Sequence, residues 1–237
     1  MNIVARIANR LGRRWGIRPF SWAAPCSLEE VGGDHLNLFD RIHDLNYWGS
    51  EESVSGGGST HGRTAEYAKL LSRLIEQRQI RSMFDAPCGD LNWIGNVIDA
   101  TGVSYSGGDV SERAIDIALQ RRPGADVRLF DIRHDAFPDA DIWHCRDCLF
   151  HLSFDDGLAA LRNFANSKID WALITTNTAR WMRNIDIATG GWRVLDLERA
   201  PFNLPSPELR LKDYPEKTEF PRYVALWRRE AIAAALK

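Results

Sequence analysis

Long apolar runs, an excess of one charge and a dense set of cysteines are all missing from these 237 residues. No stretch of about 18 apolar residues occurs, so no transmembrane helix is predicted. A formal net charge of −2 gives no reason to expect a nucleic-acid partner. Four cysteines are too few for a secreted disulfide scaffold. We therefore expect a cytoplasmic protein with one α/β domain and some extensions, which suits this length.

Acidic residues are also absent from the first 25 positions, which carry five arginines. Apolar residues recur there every four positions, so a helix would carry an apolar stripe beside a basic face, with Ile3, Ile7, Leu11 and Trp15 in the stripe. The arginines interrupt any apolar core that a signal peptide would need. Composition alone would also allow an organellar transit peptide. The arm 1–25 either packs against the domain or rests peripherally on the inner membrane face or a glycan-assembly partner.

Glycine is scarce in the clearest motif of the chain, the segment 81–93. An apolar strand ends at Asp85, the chain breaks into Pro87-Cys88-Gly89-Asp90, and a helical pattern that includes Trp93 follows. With one glycine, the segment does not fit the dinucleotide fingerprint G-x-G-x-x-G. A strand that leads through a tight turn into a helix gathers backbone N–H groups around a small residue, so a ligand can approach the main chain closely. We call residues 85–90 the ligand turn.

Four predicted strands in βα order are followed by an acid, and these acids are Asp85, Asp109, Asp131 and Asp147. The carboxyl ends of parallel strands share one edge of a sheet, where ligands bind in open α/β folds. Asp109 follows Asp85 at close to the interval of about 20 residues expected of a carboxylate that binds ribose hydroxyls. The sequence therefore predicts a nucleoside pocket at this edge.

The fold class predicted is α/β, a Rossmann-like, doubly wound and mostly parallel sheet. Two late strands, at 194–197 and 223–227, should add an antiparallel edge after the alternation breaks near Thr178. We expect a basic arm at 1–25, an N-terminal lid and helical or loop extension at 26–64, and the main domain at 65–237.

The segment 47–60 is too polar and glycine-rich to form a core element. Glycine- and serine-rich runs often serve as linkers. This run lies between aromatic residues and an amphipathic helix, directly upstream of the ligand turn. We therefore favour a lid, and name 47–60 the lid. Its candidate residues, with one from the following helix, are Trp48, Glu52, Ser53, Ser55, Gly56 and His61.

Several motifs together resemble those of a group of bacterial class I S-adenosylmethionine-dependent methyltransferases, some encoded with surface-polysaccharide genes. They are W-G-x-x-E-S-x-S-G at 48–56, D-x-P-C-G-D at 85–90, C-R-D-C-L-x-H-L-S at 145–153, Gly191-Trp192-Arg193 and Pro201-Phe202, so the resemblance covers roughly 46–207. It implies S-adenosylmethionine as methyl donor and suggests a sugar or glycan hydroxyl as acceptor. Together with the strand-end acids, it implies donor contacts from Asp85, Pro87, Cys88, Gly89, Asp90, Trp93, Asp109, Val110, Asp131, Ile132 and Arg146.

Methyl transfer is an in-line displacement, so the enzyme must hold nucleophile and methyl group in line. A hydroxyl acceptor also loses a proton, which favours a base that titrates near neutrality. His151 is the predicted base, with Asp147 positioning it or the acceptor, and His61 is the reserve candidate. The alternative for His151 is that it packs against or caps the next helix.

No metal site is predicted. His144 and Cys145 are neighbours on a strand and would point to opposite faces, which argues against a zinc site. Metal-assisted transfer stays open, because some sugar O-methyltransferases use a divalent ion. The competing functional hypothesis is a non-catalytic donor-binding or scaffold protein. A nucleic-acid methyltransferase is disfavoured, since no Asn-Pro-Pro-Tyr-type motif follows the fourth strand.

Overall fold

The computed structural model describes residues 38–178, 182–214 and 221–237, together with the backbone of 23–24. Apart from 23–24, the predicted basic arm lies outside the described residues, as does 26–37 of the predicted extension. Nine strands are described: β1 Ala23–Ala24, β2 Ser82–Asp85, β3 Ser104–Asp109, β4 Val127–Leu129, β5 Ile142–Cys145, β6 Trp171–Asn177, β7 Trp192–Arg193, β8 Leu209–Lys212 and β9 Arg222–Arg228. The described α-helices are α1 Leu38–Asp44, α2 His61–Arg78, α3 Gly95–Thr101, α4 Glu112–Arg121, α5 Phe154–Ala165 and α6 Arg229–Ala235.

A seven-stranded sheet in the order β4-β3-β2-β5-β6-β9-β8 forms the centre of the described part of the chain. The first five strands in this order are parallel, and β9 and β8 complete the sheet in antiparallel pairs. The chain order reverses between β2 and β5, which is the switch point where open α/β sheets bind ligands. The predicted mostly parallel, doubly wound sheet with an antiparallel late edge is confirmed.

Helices cover both faces of the sheet because the central strands are apolar on both sides. Successive residues of a strand point to opposite faces, so Met83 and Phe84 belong to different apolar clusters. Met83 packs in the cluster that contains Leu71 of α2, and Phe84 in the cluster that contains Phe164 of α5. The carboxyl ends of the parallel strands are thus held rigidly at one edge.

The predicted strand at 194–197 is wrong, because the strand beside β9 is β8, inside the proline-rich segment. Side-chain acceptors and a backbone hydrogen bond from Asn177 N–H to the Leu195 carbonyl, over 2.7 Å, hold 194–197 instead of a strand ladder. Leu195 N–H donates to Asn177 Oδ1 over 3.1 Å, and Leu197 N–H donates to Thr176 Oγ1 over 3.0 Å. The apolar residues of 194–197 are buried, as strand residues are, so their sequence pattern is the same as that of a strand.

The N-terminal extension reaches the sheet edge through α1. Asp40 accepts hydrogen bonds from the Ser111 hydroxyl over 2.6 Å and from Arg113 N–H over 3.1 Å, at the start of α4. The short strand β1 pairs antiparallel with β7. Among the described helices, none has the length and apolar character needed to cross a bilayer.

Candidate active site

A cavity of about 490 Å³ lies at the carboxyl edge of the parallel strands, beneath the lid. This volume is within the range of roughly 300–1,000 Å³ that small-molecule sites occupy. Most of the predicted site residues line it: Trp48, Ser55, Gly56, Asp85, Pro87, Cys88, Gly89, Trp93, Asp109, Val110, Asp131, Ile132, Arg146, Asp147 and His151. Four others, Glu52, Ser53, His61 and Asp90, are not part of its wall.

Asp109 fastens the ligand turn to the neighbouring strand. One carboxylate oxygen accepts the Gly89 N–H over 2.9 Å, and the other accepts the Ser111 N–H over 3.0 Å. Gly89 has a φ of 56°, a left-handed conformation that glycine adopts without strain. Burial raises the pKa of Asp109, while the nearby His43 opposes this. A carboxylate held by backbone donors keeps further lone pairs for hydroxyls in the cavity.

Asp85 is engaged by a buried hydrogen-bond chain. Its carboxylate contacts His144 Nδ1 over 2.7 Å and accepts the Tyr105 hydroxyl over 2.9 Å. The second ring nitrogen of His144 contacts the Tyr67 hydroxyl over 2.9 Å. Burial raises the pKa of both tyrosines well above the ordinary value. These hydrogen bonds connect β2, β3, β5 and α2 beneath the ligand turn.

Just after β4, Asp131 forms an ion pair with the Arg133 guanidinium, with a nitrogen–oxygen distance of 2.7 Å. Arg133 also pairs with Asp156 over 2.8 Å. Burial opposes ionisation, yet Arg133 holds the pKa of Asp131 below its usual range. Asp131 is therefore a paired carboxylate at the cavity wall, next to the apolar Ile132.

At the end of β5, two arginines and two aspartates form a closed ring of ion pairs. Asp213 is 2.8 Å from both Arg146 and Arg222. Asp147 is 3.1 Å from Arg222 and 3.4 Å from Arg146. The four charges balance, so the ring fixes side chains rather than presenting an unpaired charge.

Asp147 has a φ of 55°, which is uncommon for a residue other than glycine. Its N–H donates to Thr175 Oγ1 over 2.9 Å, so a neighbouring strand helps to hold this conformation. Non-glycine residues in the left-handed region cluster at functional sites. Asn46, Gln79, Leu91 and Asn203 share this conformation, so at Asp147 it counts only together with the place of this residue in the cavity wall.

Tyr214 closes the cavity above this ion-pair ring. The Arg222 guanidinium lies 3.6 Å from the centroid of its ring, and burial raises the pKa of Tyr214 to about 12. The lid touches the same place, since Arg146 donates to the Gly58 carbonyl over 3.0 Å. A methyl group at Gly58 would lie 2.6 Å from the Tyr214 hydroxyl and 2.8 Å from Asp147 Oδ2. A side chain at position 58 would therefore displace the lid, Tyr214 or Asp147.

His151 is held in one tautomer. Its Nδ1 lies 2.7 Å from the Gly191 carbonyl, which can only accept, so Nδ1 carries the proton. Nε2 therefore keeps its lone pair. Burial, aided by the charges of Arg222 and Arg193, lowers the pKa of His151 to about 4. Its ring lies beside the Trp48 indole, with centroids 5.1 Å apart. In the described part of the chain no hydrogen bond joins it to Asp147, which contacts Arg146, Arg222 and Thr175 instead.

The four predicted residues outside the cavity wall fasten the lid from behind. Asp90 accepts hydrogen bonds from the Ser53 hydroxyl over 2.9 Å and from Val54 N–H over 3.0 Å. Glu52 accepts the His61 N–H over 2.7 Å. His61 lies on the far side of the lid, beside a separate polar groove. As a reserve base it is therefore poorly placed.

Sequence reasoning missed His43, His144, Tyr214 and Arg222, which also line the cavity. His43 Nδ1 contacts the Ser111 hydroxyl over 2.8 Å, and its ring lies edge-on to Trp48. In the described part of the chain, no three His, Cys, Asp or Glu side chains are grouped as metal ligands.

No protein-family model matches the chain, and no curated protein matches it in sequence. Solved structures do match. Human N-acetylserotonin methyltransferase in complex with SAM is 14% identical, with a TM-score of 0.60 over 94% of this chain and 66% of that one. The fold is that of S-adenosylmethionine-dependent methyltransferases. Among these structures, magnesium protoporphyrin IX methyltransferase from Synechocystis PCC 6803 with bound SAH is 12% identical, with a TM-score of 0.52 over 96% of this chain and 98% of that one.

A third structure with the methyltransferase fold is the sugar N-methyltransferase KedS8 from Streptoalloteichus sp ATCC 53650. It is 16% identical, with a TM-score of 0.52 over 79% of this chain and 93% of that one. The chain spans 64 to 66% of the length of four of the structures it matches, the human enzyme among them. At sequence identities this low, structural similarity establishes the fold alone. The chemistry has to be argued from the site.

Proposed function

We propose that this protein is an S-adenosylmethionine-dependent methyltransferase that acts on a hydroxyl group of a sugar or glycan. The observation that carries the proposal is Asp109. Its carboxylate faces the cavity from the end of β3 while holding the Gly89 N–H of the ligand turn over 2.9 Å. This is the position from which an acid binds ribose hydroxyls in doubly wound nucleotide folds.

The donor would lie across the switch point, with its nucleoside at β3 and β4 and its amino-acid end toward β2 and β5. Val110 and Ile132 offer apolar surface for the adenine ring, beside Asp131. One feature supports the fit directly. The Ser55 hydroxyl is buried at the cavity wall without a hydrogen-bond partner in the described structure, as expected of a group that meets a ligand. When bound, the donor supplies an electrophilic methyl group on a sulfonium ion.

For the acceptor, Trp48 and Trp192 give the cavity flat apolar surfaces against which a sugar ring can pack. His151 would accept the hydroxyl proton at Nε2, since its Nδ1–H is committed to Gly191. A pKa of about 4 makes His151 neutral but weakly basic at pH 7. We therefore assign most of the rate to alignment and exclusion of water, with proton acceptance as a smaller contribution.

The resemblance to enzymes encoded with surface-polysaccharide genes favours a glycan acceptor over a free sugar. One assay can distinguish these two acceptors. Purified protein, S-adenosylmethionine and a panel of sugars, nucleotide sugars and isolated surface glycans are incubated, and methylation is followed by mass spectrometry. We expect the mass gain of one methylene on a hydroxyl of a saccharide. Donor binding without transfer to any saccharide would contradict the acceptor class and favour the non-catalytic alternative.

A further inference from the structure

The hydroxyl of Ser55 is unusual among the polar groups around the cavity. Its Oγ is buried and has no hydrogen-bond partner in the described part of the chain. A buried hydroxyl without a partner is destabilising, so such groups in native proteins need an explanation. Ser55 lines the cavity and stands directly against the ligand turn, because a methyl group added to Gly89 would collide with its Oγ.

The position of this hydroxyl is fixed by its neighbours in the lid. Asp90 anchors Ser53 and Val54, and the Ser55 N–H in turn donates to Ser53 Oγ over 3.2 Å. Gly56 N–H donates to the Ser53 carbonyl over 3.1 Å. The backbone of Ser55 is therefore held in place through Ser53 and Val54. Its hydroxyl group remains available to a ligand in the cavity.

Polar groups of the ligand turn, which Ser55 covers at Gly89, are already engaged. The Gly89 N–H is bonded to Asp109, and the two oxygens of Asp85 are bonded to His144 and Tyr105. From Ser55 the lid continues toward β5, where the Gly58 carbonyl accepts a hydrogen bond from Arg146. Ser55 thus covers the ligand turn at the end of β2, in a lid that runs on toward β5.

We propose that Ser55 Oγ hydrogen-bonds the amino-acid group of the donor, a carboxylate or ammonium, and so couples the lid to that end of the molecule. The inference rests on the proposed function, because it assumes a donor with its nucleoside at β3 and β4. A hydroxyl can donate to a carboxylate or accept from an ammonium, so it suits either group. Ser55 is then a positioning residue that distinguishes the complete donor from its adenosine part.

Calorimetry with two ligands tests this role. S-adenosylhomocysteine carries the amino-acid group, and 5′-methylthioadenosine lacks it. For Ser55→Ala we expect affinity for S-adenosylhomocysteine to fall by roughly tenfold, the loss of one hydrogen bond to a charged group. Affinity for 5′-methylthioadenosine should stay within about twofold of the wild-type value. Ser72→Ala is the matched control, since Ser72 lies on α2 outside the cavity and its hydroxyl donates to the Ala68 carbonyl over 3.0 Å.

The outcomes separate the two proposals. Equal weakening of both ligands by Ser55→Ala, or no weakening of either, overturns the role of Ser55 while leaving the donor site intact. Wild-type protein that binds neither ligand overturns the proposed function as well. Thermal melting of each variant shows whether it is folded, and selective loss of S-adenosylhomocysteine in a variant with a native melting temperature supports the inference.

Discussion

Asp90 accepts a hydrogen bond of 2.9 Å from the hydroxyl of Ser53, and this contact ties the lid to the ligand turn. Asp90 is 1% exposed and also accepts the N–H groups of Val54 and Asn92. An aspartate that sequence reasoning assigned to the donor therefore holds the lid over the cavity from behind.

Asp90→Ala should destabilise both the lid and the fold. It leaves Ser53 and Val54 without their acceptor, which costs about 1–3 kcal/mol in the free energy of unfolding. Urea unfolding measures this loss, and hydrogen exchange should accelerate at 53–56. Asp99→Asn is the control, because Asp99 is an exposed partner of Arg122 and exposed ion pairs contribute little to stability. Unchanged exchange in the lid would show that Asp90 does not fasten it.

Substitution by alanine should affect donor binding at one of two adjacent lid glycines, Gly57 and Gly58, and not at the other. Gly58→Ala puts a methyl group 2.6 Å from the Tyr214 hydroxyl and 2.8 Å from Asp147 Oδ2, so the lid or these side chains must move. Gly57→Ala meets nothing within 4 Å. We expect Gly58→Ala to weaken S-adenosylhomocysteine binding at least tenfold, about 1.4 kcal/mol, and Gly57→Ala to leave it near the wild-type value. Similar affinities for the two variants would contradict the closed position of the lid.

His151 should make stability depend on pH in a defined direction. Burial lowers its pKa to about 4 in the folded protein, whereas an unfolded histidine titrates near 6.5. Between these values the unfolded chain binds a proton that the folded protein does not. The contribution is therefore present above about pH 6.5 and is lost as pH falls toward 4.

His151→Gln should remove about 1–2 kcal/mol of the stability that the wild-type protein loses between pH 7 and pH 5. Chemical unfolding at the two pH values measures the difference, and His61→Gln, which removes an exposed imidazole, is the control. A His151→Gln variant with the full wild-type pH dependence would show that His151 is not buried as a neutral base.

The order of strands and the acids at their ends were predictable, because βα alternation and buried strands leave local patterns in sequence. The partners of those acids were not. Asp85 faces His144 only because β2 and β5 pair with these residues in register. Arg222 reaches Asp147 from β9, at the far end of the chain. Such pairings depend on strand register, which no local pattern specifies.

A lid at 47–60 was predicted from composition and position, and its role as a lid stays a prediction. The contacts that hold this segment were not predictable from the sequence. Glu52 and Ser53 lie in the predicted lid motif, but they bind His61 and Asp90 behind the cavity. Polar residues of a loop serve either the ligand or the loop itself, and sequence does not distinguish these uses. His43 was missed for a related reason, since its place in the site follows from how α1 docks on α4.

Donor binding by Asp109 is the central claim, and isothermal calorimetry with S-adenosylhomocysteine tests it most directly. We expect the wild-type protein to bind in a one-to-one complex and Asp109→Asn to lose at least tenfold in affinity, about 1.4 kcal/mol. Asp116→Asn, at an exposed position of α4, should bind as the wild type does. Absence of binding by the wild-type protein, or equal affinity of Asp109→Asn, would contradict the account.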